Sequence, residues 1–97
     1  MKPVSGSSVA LLLAAGEMQG TFTAEDLIVS VWKRDTKVFG LKGYTNQYPD
    51  SNKVLAALMG EKGLVARGWL KKEGPKMYSA TAQTKELMLL NSLLLTD

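Results

Sequence analysis

The spacing of apolar residues between Thr23 and Trp32 constrains the fold more than any other feature of this sequence. Leu27, Ile28, Val31 and Trp32 follow Ala24 at offsets of three, four, seven and eight, which is one stripe of a helix and no face of a strand. Thr23 stands at the N-cap position, and Asp26 three residues on suits the positive end of the helix dipole. Lys33, Arg34 and Lys37 fall on the opposite face, and Gly40 is the expected stop. Such a stripe is stable only when other elements cover it, and 97 residues are enough for a single domain with one modest core.

The flanking segments supply the covering elements. Residues 1–6 read as a flexible N-terminus. Ser7 and Ser8 are placed to cap a first helix, with Val9, Leu12 and Leu13 on one face and an end near Gln19. Gly20 breaks it, and Thr21-Phe22 is a very short strand. Residues 40–49 read as a loop whose Tyr44 and Tyr48 pin it onto the core, or else form a contact surface with Asn46 and Gln47. A third helix is expected over 51–67, capped by Asp50 or Ser51 and bent near Gly60, with Val54, Leu55, Leu58 and Val65 inward. Two short runs around Gly74-Pro75 predict a hairpin over 69–80. Thr81 then caps a last helix, 82–97, which carries more leucine than one buried stripe needs. Trp32 and Trp69 both sit at inward positions. The fold class is therefore mainly α with a small β-hairpin, an α+β domain.

Charge is distributed unevenly along this order. The net charge is +3, yet residues 33–76 hold ten basic residues against four acidic ones, while the remainder is net −3. A cationic middle with acidic ends is the pattern of a surface that faces a polyanion, although a solvated lysine-rich face has the same composition. The chain has no Cys and no His. That absence removes disulfides, thiolate and imidazole metal sites, cysteine nucleophiles and Ser-His-Asp triads, so neither an enzyme nor a cofactor or metal site is expected. Residues 9–15 are a poor copy of a secretory signal and no run reaches the length of a membrane span, so the expected setting is the cytoplasm of a bacterial cell, with no membrane partner.

Leu64-Val65-Ala66-Arg67-Gly68-Trp69-Leu70, then Gly74, Tyr78 and Thr81, together with Phe22-Thr23-Ala24-Glu25-Asp26-Leu27, resemble the winged helix-turn-helix superfamily, and its uncharacterised bacterial domains more than any one regulator family. The likeness covers roughly residues 7–90. It implies a three-helix core plus a wing and a C-terminal helix, and a transcriptional regulator that binds double-stranded DNA. Helix 51–67 would face the major groove and hairpin 69–80 would lie on the phosphate backbone. The residues carried over as DNA-binding are Ser51, Asn52, Lys53, Lys62, Arg67, Lys71, Lys72 and Lys76, with a homodimer formed through the C-terminal helix. Two features depart from the pattern. The outer face of the third helix has few base-reading donors, and about ten residues separate helices two and three where a turn of roughly three or four is usual. A protein-interaction or oligomerisation module on the same scaffold is the alternative, and the alternative to the homodimer is the chain as the front end of a longer protein whose remainder meets the same leucines.

Overall fold

A computed structural model describes residues 6–95, except the side chains of Ser92, Leu94 and Leu95. The expected flexible N-terminus falls on residues 1–5, outside the described residues, and on Gly6, which opens the first helix; residues 96–97 of the expected last helix also lie outside. The described residues form an α+β domain of five helices with small antiparallel sheets.

The first helix, α1 (Gly6–Glu17), buries Leu11, Leu12, Ala14 and Ala15. Ser7 and Ser8 lie inside its first turn rather than at its cap, so the expected start is corrected by about two residues. Gly16 faces Met88 of the last helix so closely that a Cβ there would collide with the methionine side chain, and its absence lets the two helices meet. After a turn, β1 (Phe22–Thr23) leads into α2 (Ala24–Arg34). Its start is a complete capping box: the Asp26 N–H donates to Thr23 Oγ1 at 3.0 Å, and the Thr23 N–H donates to the Asp26 carboxylate at 3.1 Å. Ala24, Leu27, Ile28 and Val31 are buried as the stripe requires.

The helix does not run to Gly40. Asp35 leaves helical geometry at φ −145°, its carboxylate accepts from the Val38 N–H, and the Thr36 hydroxyl donates to the Trp32 carbonyl. Asp and Thr compete for backbone partners in this way, and two such residues in sequence end a helix that the apolar spacing alone would continue. A separate turn, α3 (Thr36–Phe39), then carries Phe39 into the core.

Residues 40–49 form a ribbon rather than a loop. β2 (Gly40–Leu41) pairs antiparallel with β3 (Tyr44–Pro49), with an irregular register between Gly40 and Leu41. A Cβ on Gly40 would strike the Thr36 carbonyl oxygen and the Thr45 backbone, so glycine is required where the ribbon crosses α3. Trp32 Nε1 donates to the Thr45 carbonyl at 2.7 Å and the Asp50 N–H to the Phe39 carbonyl at 2.7 Å, which fasten the ribbon at both ends. Trp32 is accordingly half-buried, whereas Trp69 is buried.

The third expected helix is half as long as its apolar pattern. α4 (Ser51–Leu58) is capped by Asp50, whose carboxylate accepts from the Lys53 N–H at 3.1 Å, and Met59 is already extended. Gly60 at φ 91° turns the chain, and residues 59–68 fold back on α4 through bonds from Leu64 N–H to the Ala57 carbonyl and from Val65 N–H to the Leu58 carbonyl. Two glycines in four residues, each costing a helix about 1 kcal/mol, stop it rather than bend it. The reversal brings Leu64 into the core at 1% exposed, whereas Leu55, expected inside, is 37% exposed.

β4 (Leu70–Gly74) and β5 (Met77–Ala80) form the expected hairpin. β5 also pairs with β1, giving a three-stranded sheet in the order β1-β5-β4. Its inner face stacks Phe22 on Tyr78 at 6.5 Å between ring centroids. α5 (Ala82–Leu95) closes the domain against α1 and β5. Thr81 stands at the expected cap position, its carbonyl accepting from the Lys85 N–H at 3.1 Å, while its hydroxyl reaches the carbonyls of Gly68 and Trp69 and the buried Thr84 hydroxyl also donates to Trp69. Leu11, Leu12, Leu27, Val31, Phe39, Val54, Leu58, Leu64 and Leu70 form the common core.

Candidate nucleic-acid interface

Five of the eight residues singled out in the sequence lie between positions 62 and 76, on the turn segment after α4 and on the β4–β5 hairpin. Lys62, Arg67, Lys71, Lys72 and Lys76 are all exposed, and Glu73 is the single carboxylate among these positions. Glu73 is already engaged: it accepts from the Ser79 hydroxyl at 2.9 Å and lies 3.8 Å from the Lys71 ammonium. Its charge is thus partly screened within the hairpin, and the local excess remains positive.

Strand geometry separates the two adjacent lysines. Lys71 is opposite Ser79, on the face that carries Glu73, whereas Lys72 is opposite Tyr78. Tyr78 is buried and its hydroxyl donates to Met59 Sδ at 3.4 Å, so Lys72 belongs to the side of the sheet that meets the end of α4. At the tip, Gly74-Pro75-Lys76-Met77 makes a turn in which Lys76 holds φ at 59°, a conformation that glycine or asparagine adopts far more readily. The Lys76 carbonyl accepts from the Ala24 N–H at 3.1 Å, which ties the tip to the first turn of α2 and fixes where the lysine is presented.

The α4 candidates are arranged differently. Ser51 and Asn52 are exposed, but the Asp50 carboxylate occupies the same helix end and opposes an incoming phosphate there. The Lys53 ammonium donates to the Val38 carbonyl at 2.8 Å and lies 5.3 Å from the centroid of the Phe39 ring, so it is drawn toward α3. Besides Lys53, the exposed residues of α4 are Ser51, Asn52, Leu55 and Ala56. Asn52 alone among them has the paired donor and acceptor that read a base edge.

The ribbon adds a feature at the two tyrosines expected either to pin residues 40–49 onto the core or to form a contact surface. Tyr44 and Tyr48 are 54% and 56% exposed, with ring centroids 6.0 Å apart and planes tilted by 57°. They do not pin the ribbon; Trp32 and Gly40 do. The signal was present in residues 40–49, which offer the tyrosines no periodic apolar neighbours.

Comparison with protein-family models, curated proteins and solved structures gives no match to this chain. Its own geometry is what remains. Among the described residues, no three carboxylates gather to hold a metal ion, and no helix is long and apolar enough to cross a membrane. An open groove of ≈ 630 Å³ runs along α2, lined by Met18, Phe22, Glu25, Asp26, Val29 and Lys33 among others. Asp26 is committed there to the capping box, and the groove mixes charge of both signs.

Proposed function

We propose that this chain is a DNA-binding domain of the winged helix-turn-helix kind, acting in transcriptional regulation, that holds the duplex chiefly by its phosphates. The observation that carries the reading is the exposed cation set of residues 62–76, shared between the turn segment after α4 and the tethered β4–β5 hairpin. The helices α1, α2 and α4, with the short α3 and the β2–β3 ribbon inserted before α4, precede the β4–β5 hairpin, and this order with β5 between β1 and β4 supports the same scaffold. Phosphate contacts supply affinity and register, whereas base-edge contacts supply sequence preference. The small and apolar outer face of α4 favours the first and offers little of the second. Fluorescence anisotropy with two unrelated duplexes at low salt tests this: affinities within a few-fold of each other are expected, and absence of binding to both overturns it.

A homodimer through α5 is the companion proposal. Leu89, Leu90 and Leu93 are exposed large apolar side chains within one stretch of that helix, and burying apolar surface stabilises association by about 25 cal/mol per Å². Sedimentation tests it independently of DNA. The wild type is expected as a dimer and Leu89→Glu as a monomer, and a wild-type monomer at tens of micromolar removes the claim. The same leucines, with the exposed Leu55 on α4 and Met59 just past its end, favour the second reading, a protein-interaction module that does not touch nucleic acid. Recovery of a stable hetero-complex, with no retention on heparin, is the outcome that selects it.

A further inference from the structure

We infer that the β2–β3 ribbon is a stacking platform for unpaired nucleotides, built on Tyr44 and Tyr48 and distinct from the phosphate-binding hairpin. The inference rests on the nucleic-acid reading above and extends it to a second surface and a second form of the polymer. Tyrosine rings are among the largest apolar groups a small domain can bury, and leaving two of them more than half exposed forfeits that stabilisation. Neither is needed to hold the ribbon, because the Trp32 bond to the Thr45 carbonyl and the close crossing at Gly40 do so. The rings are tilted by 57° at 6.0 Å rather than laid flat on each other, so each keeps a face open to a planar partner.

The surroundings suit a nucleotide more than an apolar peptide. Asn46 and Gln47 are exposed between the tyrosines, and a shallow hollow of ≈ 170 Å³ is lined by Gly43, Tyr44, Thr45, Asn46 and Gln47. Their amides supply both donors and acceptors, as base edges require. A second hollow, ≈ 240 Å³, brings Lys33 together with Trp32, Thr36 and Asn46. Lys37 and Lys42 are exposed nearby in sequence, while the two neighbouring carboxylates, Asp35 and Asp50, each accept a backbone N–H at a helix start. Exposed aromatic rings beside cations and amides are the chemistry by which single strands are held. Paired bases inside a duplex have their faces covered by their neighbours, so the ring faces select unpaired ones.

The test compares a short fluorescein-labelled oligothymidylate with a duplex, using the full chain. Wild-type protein is expected to bind both. Tyr44→Leu/Tyr48→Leu is expected to lose about 10- to 100-fold in affinity for the single strand and to keep its duplex affinity within about twofold. Tyr44→Phe/Tyr48→Phe, which keeps the rings, is expected to bind the single strand as the wild type does, and serves as the informative variant if the leucine pair proves unstable. Equal single-strand affinity in the leucine variant, loss in the phenylalanine variant, or no single-strand binding by the wild type overturns the platform, and duplex binding can persist in all three cases. Tyrosine-dependent single-strand binding without duplex binding instead removes the phosphate-hairpin reading and leaves the platform standing. A ribbon that captures only a peptide, and no oligothymidylate, also overturns it.

Discussion

Replacing Lys76 by glycine is expected to stabilise the protein while weakening its hold on DNA. Lys76 occupies the third position of the Gly74-Pro75-Lys76-Met77 turn at φ 59°. A residue with a Cβ in that conformation is strained by about 1–2 kcal/mol. Glycine removes the strain but loses more conformational entropy on folding, about 0.5–1 kcal/mol. The midpoints differ by a net gain of about 0.75 kcal/mol, or about 3–6 °C in Tm for a domain of this size. The substitution also deletes the cation at the hairpin tip, so the dependence of DNA affinity on salt should fall by about one phosphate contact. Thermal unfolding followed by circular dichroism, with anisotropy titrations on the same samples, reads both effects. Lys76→Ala separates them, since it removes the charge and keeps the strain: DNA binding should fall as for glycine, with no gain in Tm. A lower Tm for Lys76→Gly refutes the strain argument, and unchanged DNA affinity in both variants removes Lys76 from the interface.

Three further outcomes follow from the packing and the site. Lys72→Ala should weaken duplex binding more than Lys71→Ala, because Lys72 lies on the α4 side of the sheet and Lys71 shares its face with Glu73; equal losses by anisotropy contradict that division. Gly63→Ala should destabilise by about 1–3 kcal/mol in urea unfolding, since its Cβ would strike the carbonyl oxygens of Leu58 and Met59. Trp32→Phe should cost about 1 kcal/mol or more through the Thr45 carbonyl it leaves without its indole donor, and a urea midpoint equal to wild type contradicts the role given to that bond.

Local chemistry made part of this fold legible in advance. The Thr23–Asp26 capping box, the α2 stripe and the Gly74-Pro75 hairpin depend on residues close in sequence, and each forms as its spacing indicates. The ribbon was hidden because a bond from Trp32 and the missing Cβ of Gly40 hold it, and neither leaves an alternating pattern in residues 40–49. The end of α4 was hidden for a different reason. Leu64 returns to the core after the chain has turned back, so the apolar period continues although the helix has stopped at Leu58. At the candidate site, composition located the exposed cations correctly along the chain. The engagement of Lys53 with Val38 and Phe39, and the exposure of the tyrosines, depend on where α3 and the ribbon lie in space.

The central claim is that residues 62–76 bind DNA by neutralising phosphates, and the salt dependence of duplex affinity tests it most directly. If all five cations act, a plot of log K against log salt concentration should be linear with a slope of about −4 to −5. A slope near zero, or no binding even at low salt, contradicts the account.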